Sequence, residues 1–360
     1  MHIQNPYSTS TPNTLCLGRE NILSALEQAW SNNRKPKPFS LLIGHRRMGK
    51  TSIILKAQKQ LKEIHIAFVN ALHLASSKDT VDVIQGICWS IEDDLKTLAA
   101  PDEKALTEDP YNAFQIYLQS VIEDLRVTSI VIVIDEYEKL GECLEKGILE
   151  PDFLRRLRKI TDSIPEVHFA FSGLHTWEET FPKSDIKDII VTPVGLLTLN
   201  DTKRFLATSI ADQPVEWDDE AMERIFQLTA GHPAISGLIG MCLIHALNDQ
   251  NKTGAKKTRL TVKDVDTVIS NGKVFSSGQY IFSGIWQQAG RNISGQQDIL
   301  KALSTYPSGV DLGILKSAID LETQAFESAL AKLRQLDVIK LEAGHVYIAV
   351  ELFRCWILRQ

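Results

Sequence analysis

The stretch FSLLIGHRRMGKTSIILKAQKQL (residues 39–61) joins a short apolar run to a helical pattern through a glycine-bearing loop. FSLLI (39–43) predicts a buried strand, and the residues from Thr51 to Leu61 predict a helix. The loop GHRRMGKT (44–51) fits the pattern GxxxxGK[ST], in which backbone N–H groups, a lysine and a hydroxyl surround phosphate groups. Because it lies between a strand and a helix, as this pattern requires, we predict a phosphate-binding loop here.

Each residue type in this loop has a chemical reason. Gly44 and Gly49 allow the backbone to turn tightly, so that successive N–H groups point inward. The helix that follows adds the positive end of its dipole beneath the phosphates. Lys50 is expected to reach the β and γ phosphates of a nucleoside triphosphate, and the Thr51 hydroxyl to ligate Mg²⁺.

Outward from the loop, apolar strands alternate with helical patterns. SIVIVI (129–134) is apolar on both faces, which fits the middle of a parallel sheet covered by helices on both sides. Other strands are predicted at 64–69, 167–172 and 188–192, and other helices at 20–30, 80–98, 111–125 and 151–160. This alternation predicts an α/β fold around a five-stranded parallel sheet.

Two acidic residues follow the predicted central strand. Asp135 and Glu136 would lie at the carboxyl edge of the sheet, where open α/β sheets bind their ligands. We expect Asp135 to hold Mg²⁺, mostly through water, and Glu136 to polarise the water that attacks the γ-phosphate. Ser172, which ends the fourth strand, either orients that water, senses the γ-phosphate or caps the following turn.

After Pro193 the strand signal fades. Helices are predicted at 200–210, 217–229, 233–247 and 261–270, followed by a connector rich in aromatic, Gly and Ser residues. From Gln296 the pattern indicates three helices and two short strands about Ala343 and Gly344, which is typical of a winged helix.

Five segments together resemble those of a known family. They are LGRE (17–20), GHRRMGKTS (44–52), IVIVIDEYEKL (130–140), Ser172 and TAGHPAISGLIG (229–240). The chain resembles a STAND-type member of the AAA+ superfamily, close to the archaeal-type ATPases and the origin-recognition-like ATPases. LFRCWI (352–357) also fits the end of that family's winged helix.

The resemblance implies the sheet order 5-1-4-3-2, an ATP cofactor with Mg²⁺, and a set of site residues. Lys50, Glu136 and Ser172 would be catalytic, and Thr51 and Asp135 would hold the metal. The residues implied to bind ATP are Gly18, Arg19, Gly44, Arg46, Arg47, Met48, Gly49, Lys50, Thr51, Ser52 and Pro233. The implied domains are a flexible arm (1–14), a nucleotide-binding α/β domain (15–195), a helical lid (196–275), a connector (276–292) and a winged-helix domain (293–360). That the base is adenine rests on the resemblance alone.

The composition indicates a globular protein without a polyanion-binding character. Apolar residues make up 44% of the chain, and 39 Lys and Arg stand against 45 Asp and Glu, a net charge of −6. No apolar run is long enough to span a membrane, and no secretory signal is visible. The five cysteines are spaced for neither a zinc site nor a disulfide framework, so we expect free thiols in the cytoplasm.

The chain also departs from the family. No arginine follows the fourth strand, where AAA+ rings place one that acts on a neighbour, and Arg155, Arg156 and Arg158 are candidate substitutes. The roles of Arg46 and Arg47 remain open, since such loop arginines contact a γ-phosphate, a partner or only solvent.

The charge of the predicted winged helix disfavours binding of DNA there. Residues 293–360 contain seven Lys or Arg and eight Asp or Glu, so this segment is not positively charged. A basic cluster lies elsewhere, at Lys252, Lys256, Lys257, Arg259 and Lys263.

These features favour a slow ATPase that acts as a molecular switch. Its lid and winged helix would respond to the γ-phosphate and control a partner protein or self-assembly. The alternatives are a DNA-acting AAA+ protein of the origin-recognition or transposition type, and a non-catalytic adaptor that keeps its nucleotide permanently. The partner, the oligomeric state and the rate of hydrolysis do not follow from the sequence.

Overall fold

The apolar runs of the first half of the chain pair as one parallel sheet in the computed structural model, which describes residues 2–7, 16–31, 37–211, 215–252, 258–290 and 293–360. Its five strands are β1 (Phe39–Ile43), β2 (His65–Asn70), β3 (Ile130–Asp135), β4 (Val167–Gly173) and β5 (Ile189–Pro193). Their order is β2-β3-β4-β1-β5, all parallel. The expected order 5-1-4-3-2 is therefore confirmed.

The chain forms two compact units, and the sheet belongs to one that comprises residues 19–44 and 50–194. We call it the sheet unit. Its helices are α1 (Glu20–Trp30), α2 (Lys50–Gln60), α3 (Ala71–Leu74), α4 (Thr80–Leu95), α5 (Glu103–Glu108), α6 (Pro110–Leu125), α7 (Glu138–Glu145), α8 (Phe153–Ser163) and α9 (Trp177–Thr180). The strands and the long helices lie within a few residues of their predicted bounds, whereas the short helices α3, α5, α7 and α9 are not evident from the sequence pattern.

The two central strands form the core of the sheet unit. Every residue of β3 and β4 is buried, because helices cover both faces of the sheet. At the outer edge, the Phe68 N–H of β2 donates to the Asp94 carboxylate at 2.6 Å. The Gln58 side chain donates to the Ile66 carbonyl at 2.9 Å. Side chains thus satisfy backbone groups that an edge strand leaves open.

A buried polar pair lies at the amino end of the sheet. Lys37 Nζ is 2.9 Å from His168 Nε2, and both side chains are buried. Burial, with a smaller contribution from the Lys37 charge, lowers the pKa of His168 from 6.5 to about 3. His168 therefore stays neutral in the folded protein at neutral pH and accepts from the lysine.

The remaining unit, which we call the C-terminal unit, comprises residues 1–18, 45–49 and 195–360. Its helices are α10 (Leu199–Ser209), α11 (Asp219–Thr229), α12 (Pro233–Lys252), α13 (Val262–Ser270), α14 (Lys273–Ser277), α15 (Gln279–Ala289), α16 (Gln296–Ser304), α17 (Leu312–Ser317), α18 (Thr323–Gln335) and α19 (Glu351–Ile357). Its strands are β6 (Glu216–Trp217), β7 (Arg259–Leu260), β8 (Val310–Asp311), β9 (Ile339–Glu342) and β10 (His345–Ile348). β8, β10 and β9 form a small antiparallel sheet.

Two expectations about this unit are wrong where the structure describes them. The segment 2–7, expected within a flexible arm over 1–14, is packed: Asn248 exchanges two hydrogen bonds of 2.8 Å with the Ile3 backbone. Tyr7 is buried, donates to the Leu206 carbonyl at 2.7 Å and occupies the space that a side chain at Gly240 would fill. Residues 8–14 of the expected arm lie outside the described residues.

The expected connector over 276–292 is instead largely helical. α14 and α15 occupy residues 273–277 and 279–289, because their apolar side chains, such as Phe275 and Phe282, are buried. The helical spacing of these apolar residues was not recognised in the sequence, because glycine and serine residues lie between them. Residues 291 and 292 lie outside the described part of the chain. No helix of the described residues is long and apolar enough to cross a membrane.

The Lys37–His168 pair predicts how the stability of the sheet unit depends on pH. His168 takes up a proton near pH 6.5 when unfolded but only near pH 3 when folded, so its contribution to stability is lost as the pH falls below about 6.5. We expect the free energy of unfolding, measured by urea denaturation, to fall less steeply from pH 6.5 to 4.5 in His168→Gln. His73→Gln, at an exposed histidine, should keep the wild-type slope. Parallel curves for His168→Gln and wild type would contradict this account.

Candidate nucleotide-binding site

The carboxyl ends of the strands bring the predicted site residues into one row. Asn70, Asp135, Ser172 and Leu42 are paired across β2, β3, β4 and β1. The chain leaves β1 at Gly44, whose N–H donates to the Gly173 carbonyl at 3.1 Å. The phosphate loop and the acidic residues therefore share the edge at which parallel sheets bind ligands.

The glycines of the loop are needed for different reasons. A Cβ at Gly44 would lie 2.3 Å from the Val194 carbonyl oxygen, so the packing leaves no room for a side chain. Gly49 has a φ of +93° and open space where a Cβ would stand. A glycine is required at position 49 by the backbone conformation and not by a lack of space.

The lysine of the loop lies across its own backbone. Lys50 Nζ donates to the Gly44 carbonyl at 2.7 Å, and only 9% of the side chain is exposed. An ammonium held against a carbonyl in a buried loop is available to an anion that binds there, because a charge-assisted contact to phosphate is stronger. The helix α2 begins at this residue.

Thr51 and Asp135 meet as expected. The Thr51 hydroxyl donates to Asp135 Oδ2 at 2.7 Å, and Asp135 is buried at the end of β3. Hydroxyl and carboxylate oxygens are ligands that Mg²⁺ prefers, and this ion is usually bound through one or two protein groups plus substrate phosphates and water. In the described part of the chain no group of three or more His, Cys, Asp or Glu suits a metal ion. One hydroxyl and one carboxylate, as in Thr51 and Asp135, fit Mg²⁺ that is bound together with a phosphate.

Glu136 directly follows Asp135, and Ser172 is paired with Asp135 on the neighbouring strand. Glu136 is partly exposed and has a φ of +54°, a left-handed conformation that costs a non-glycine residue roughly 1 kcal/mol. The side chain of Ser172 is fully buried, and its hydroxyl has no hydrogen-bond partner among the described residues. A buried hydroxyl without a partner fits a site that water or a ligand completes.

The middle of the loop is part of the C-terminal unit. Residues 45–49 belong to that unit, and the Arg47 guanidinium lies 4.9 Å from the ring centroid of Tyr280 on α15. Arg46 and Arg47 are both exposed, whereas Met48 is buried. Tyr280 was missed from the sequence because its surroundings resembled a connector.

The other residues predicted to bind ATP are spread over both units. Gly18 has a φ of +72° and packs against Asp201, and Pro233 begins α12; both lie in the C-terminal unit. Arg19 is buried just before α1, and Ser52 is partly exposed in the first turn of α2; both lie in the sheet unit. Their contact with a nucleotide remains a prediction.

The arginines considered as substitutes for a missing finger are engaged within the sheet unit. Arg155 pairs with Asp185, Arg156 with Asp152 and Arg158 with Asp188, each at 2.9 Å. These pairs favour a structural role for the three arginines.

The basic cluster is only partly described. Lys252 pairs with Asp249 at 3.1 Å and Arg259 pairs with Asp218. Lys256 and Lys257 lie outside the described residues.

The strand order and the loop between β1 and α2 define the fold of AAA+ P-loop nucleoside triphosphatases. Residues 33–181 match the family described as "AAA domain". The fold is similar to that of the Walker-type ATPase PABY2304 of Pyrococcus abyssi, with a TM-score of 0.68, 15% identity, and coverage of 94% of this chain and 95% of that one. It is also similar to Drosophila ORC bound to DNA, with a TM-score of 0.51, 14% identity, and coverage of 93% and 90%. No curated protein matches the sequence.

The packing of Gly44 predicts a stability effect. Gly44→Ala places a methyl group against the Val194 carbonyl, and overpacking of this kind costs about 1–3 kcal/mol. We expect a lower melting temperature by differential scanning fluorimetry. Gly284→Ala, where the added methyl meets open space inside α15, is the control without a clash and should melt at or above the wild-type temperature, because alanine is favoured over glycine in a helix. Equal melting temperatures for the two variants would contradict the packing argument.

Proposed function

We propose that the protein binds ATP with Mg²⁺ at the loop 44–51 and hydrolyses it slowly as a molecular switch. The Thr51–Asp135 hydrogen bond carries the proposal, because it brings the metal-binding residue types of two separate motifs together beside Lys50. The AAA domain and the similarity in fold to a Walker-type ATPase support the same activity.

Each of the candidate site residues has a role in this reaction. Lys50 and the N–H groups of the loop bind the phosphates, and Thr51 and Asp135 hold Mg²⁺, which when bound neutralises phosphate charge. Glu136 accepts a proton from the water whose oxygen attacks the γ-phosphorus, while the bond to the bridging oxygen breaks and ADP leaves with the electron pair. Ser172 offers its hydroxyl to the water or the γ-phosphate.

The contact between Arg47 and Tyr280 within the C-terminal unit supports a switch. Arg47 belongs to the phosphate loop and Tyr280 to α15, so a change in the loop when the γ-phosphate is lost acts on that helix directly. The described residues include no arginine on the turn after β4 that could speed hydrolysis in a neighbour, which fits slow turnover.

We further propose the STAND subtype and its domain plan. The nucleotide-binding domain would span 15–195 and the helical lid 196–275, built from α10 to α13. Over 293–360, the order α16, β8, α17, α18, β9, β10 is that of a winged helix. The output would be a partner protein or self-assembly, and five free cysteines suit the cytoplasm.

A DNA-acting role is the second candidate. It is favoured by the similarity in fold to Drosophila ORC, which is bound to DNA in that structure. The balanced charge of residues 293–360 disfavours it, because nonspecific affinity for DNA comes mainly from neutralised phosphates.

The roles of Lys50 and Glu136 predict separate effects on binding and hydrolysis. Lys50→Ala should weaken binding of Mg-ATP at least tenfold by isothermal titration calorimetry, because the phosphates lose a buried ammonium. Glu136→Gln should bind Mg-ATP like wild type but release phosphate at least one hundredfold more slowly, because the water loses its base.

Lys59→Ala, at an exposed lysine on α2, is the matched control and should leave both measurements unchanged. Wild-type affinity in Lys50→Ala would refute the proposed site.

The switch predicts a nucleotide-dependent change in the C-terminal unit. In Glu136→Gln, hydrogen exchange of α14 and α15 should differ between the ATP and ADP complexes, because Arg47 contacts Tyr280. Identical exchange in both complexes would favour the static adaptor instead. Light scattering on the same samples reports whether the output is self-assembly.

A further inference from the structure

The first residues after Glu136 reach across to the end of the neighbouring strand. Glu138, the first residue of α7, accepts with Oε1 from the N–H of Leu174 and, at 3.0 Å, from the N–H of His175. These two N–H groups come directly after β4, which ends at Gly173. One carboxylate oxygen thus ties the exit of β3 to the exit of β4.

Tyr137 makes a second tie to the same segment. Its N–H donates to the Ser172 carbonyl at 3.2 Å, and its hydroxyl donates to the His175 carbonyl at 2.8 Å. Burial raises the pKa of Tyr137, so the hydroxyl keeps the proton it donates. The ring is fully buried, with its centroid 5.8 Å from that of Phe171, 6.2 Å from that of Trp177 and 5.7 Å from that of Phe181.

Gly173 shows how closely the two segments approach. A Cβ at this position would lie 2.4 Å from Glu138 Oε1 and 2.6 Å from Tyr137 Cδ1. The side chains of residues 137 and 138 therefore occupy the space of the missing side chain. We call Tyr137, Glu138 and their hydrogen bonds to residues 172–175 the exit clasp.

The exit clasp fixes the position of Glu136 from one side. On the other side, Asp135 is held in β3 and by Thr51. Glu136 lies between these two anchors with a left-handed φ of +54°, which a free turn would relax. The Ser172 carbonyl accepts one of the hydrogen bonds of the exit clasp, from the Tyr137 N–H. The Ser172 hydroxyl has no hydrogen-bond partner among the described residues.

We infer that Glu138 is a positioning residue, which through the exit clasp holds the Glu136 carboxylate and the Ser172 hydroxyl in fixed relation. The inference rests on the proposed ATP hydrolysis and adds to it a residue whose carboxylate accepts from two backbone N–H groups. Glu138 Oε1 is already occupied by two N–H groups, so this oxygen does not serve as a second base.

The experiment compares Glu138→Ala with the conservative Glu138→Gln, whose amide oxygen can still accept from both N–H groups. Hydrogen exchange of Leu174 and His175 is measured without nucleotide, and Mg-ATP affinity and kcat are measured separately. In Glu138→Ala we expect faster exchange of both amides, affinity within about twofold of wild type, and kcat at least tenfold lower. Glu138→Gln should recover exchange protection and most of kcat.

Three further variants separate positioning from a general loss of stability. Glu142→Ala, at a half-exposed residue of the same helix, is the matched control and should behave like wild type. Tyr137→Phe removes only the bond to His175 and should lower kcat less than Glu138→Ala. In the Glu136→Gln background, Glu138→Ala should cost nothing further in kcat, since there is no base left to position.

The outcomes distinguish this inference from the proposed function. If wild type hydrolyses ATP and Glu138→Ala does so at the same rate, or if the two losses are additive in the double variant, the positioning role is refuted and the ATPase stands. If wild type neither binds nor hydrolyses ATP, the proposed function fails, and only the exchange of Leu174 and His175 then reports on the clasp.

Discussion

The hydrogen bond between the Thr51 hydroxyl and the Asp135 carboxylate is the constraint on which the site depends. It joins the first turn of α2 to the last residue of β3, although 84 positions separate the two residues in the chain. The bond forms because parallel strands present their carboxyl ends at one edge, and the loop after β1 turns back over that edge. Asp135 is buried there, so its partner must be supplied by the protein or by a bound ion.

The sequence predicted the sheet well because its strands are buried on both faces. A run such as IVIVI (130–134) is apolar throughout, so it lacks the polar face that a surface helix would have. The helices around it are long enough for the 3.6-residue spacing of their apolar side chains to be recognised. The short helices α3, α5, α7 and α9 span four to eight residues, too few for a period to be read. The packing of Tyr7 over Gly240 and the pairing of Asn248 with Ile3 arise from contacts between distant positions, which no local pattern encodes.

For the candidate site, the sequence indicated the residues whose chemistry is tied to a motif. Lys50, Thr51 and Asp135 lie together as the phosphate-loop pattern requires. The contacts of Glu138 with His175 and of Tyr280 with Arg47 were not evident, because they join residues that lie far apart in the sequence. Arg155, a candidate substitute for the missing arginine, is paired with Asp185, and its role in catalysis stays a prediction.

The bonds that Asp94 and Gln58 make to the outer side of β2 bear on how copies of this protein can associate. An incoming strand would have to displace a carboxylate and an amide from the very groups that it needs for pairing. Growth of the sheet from this border is therefore suppressed. A copy that associates on this side without breaking these two bonds would have to contact side chains rather than the β2 backbone.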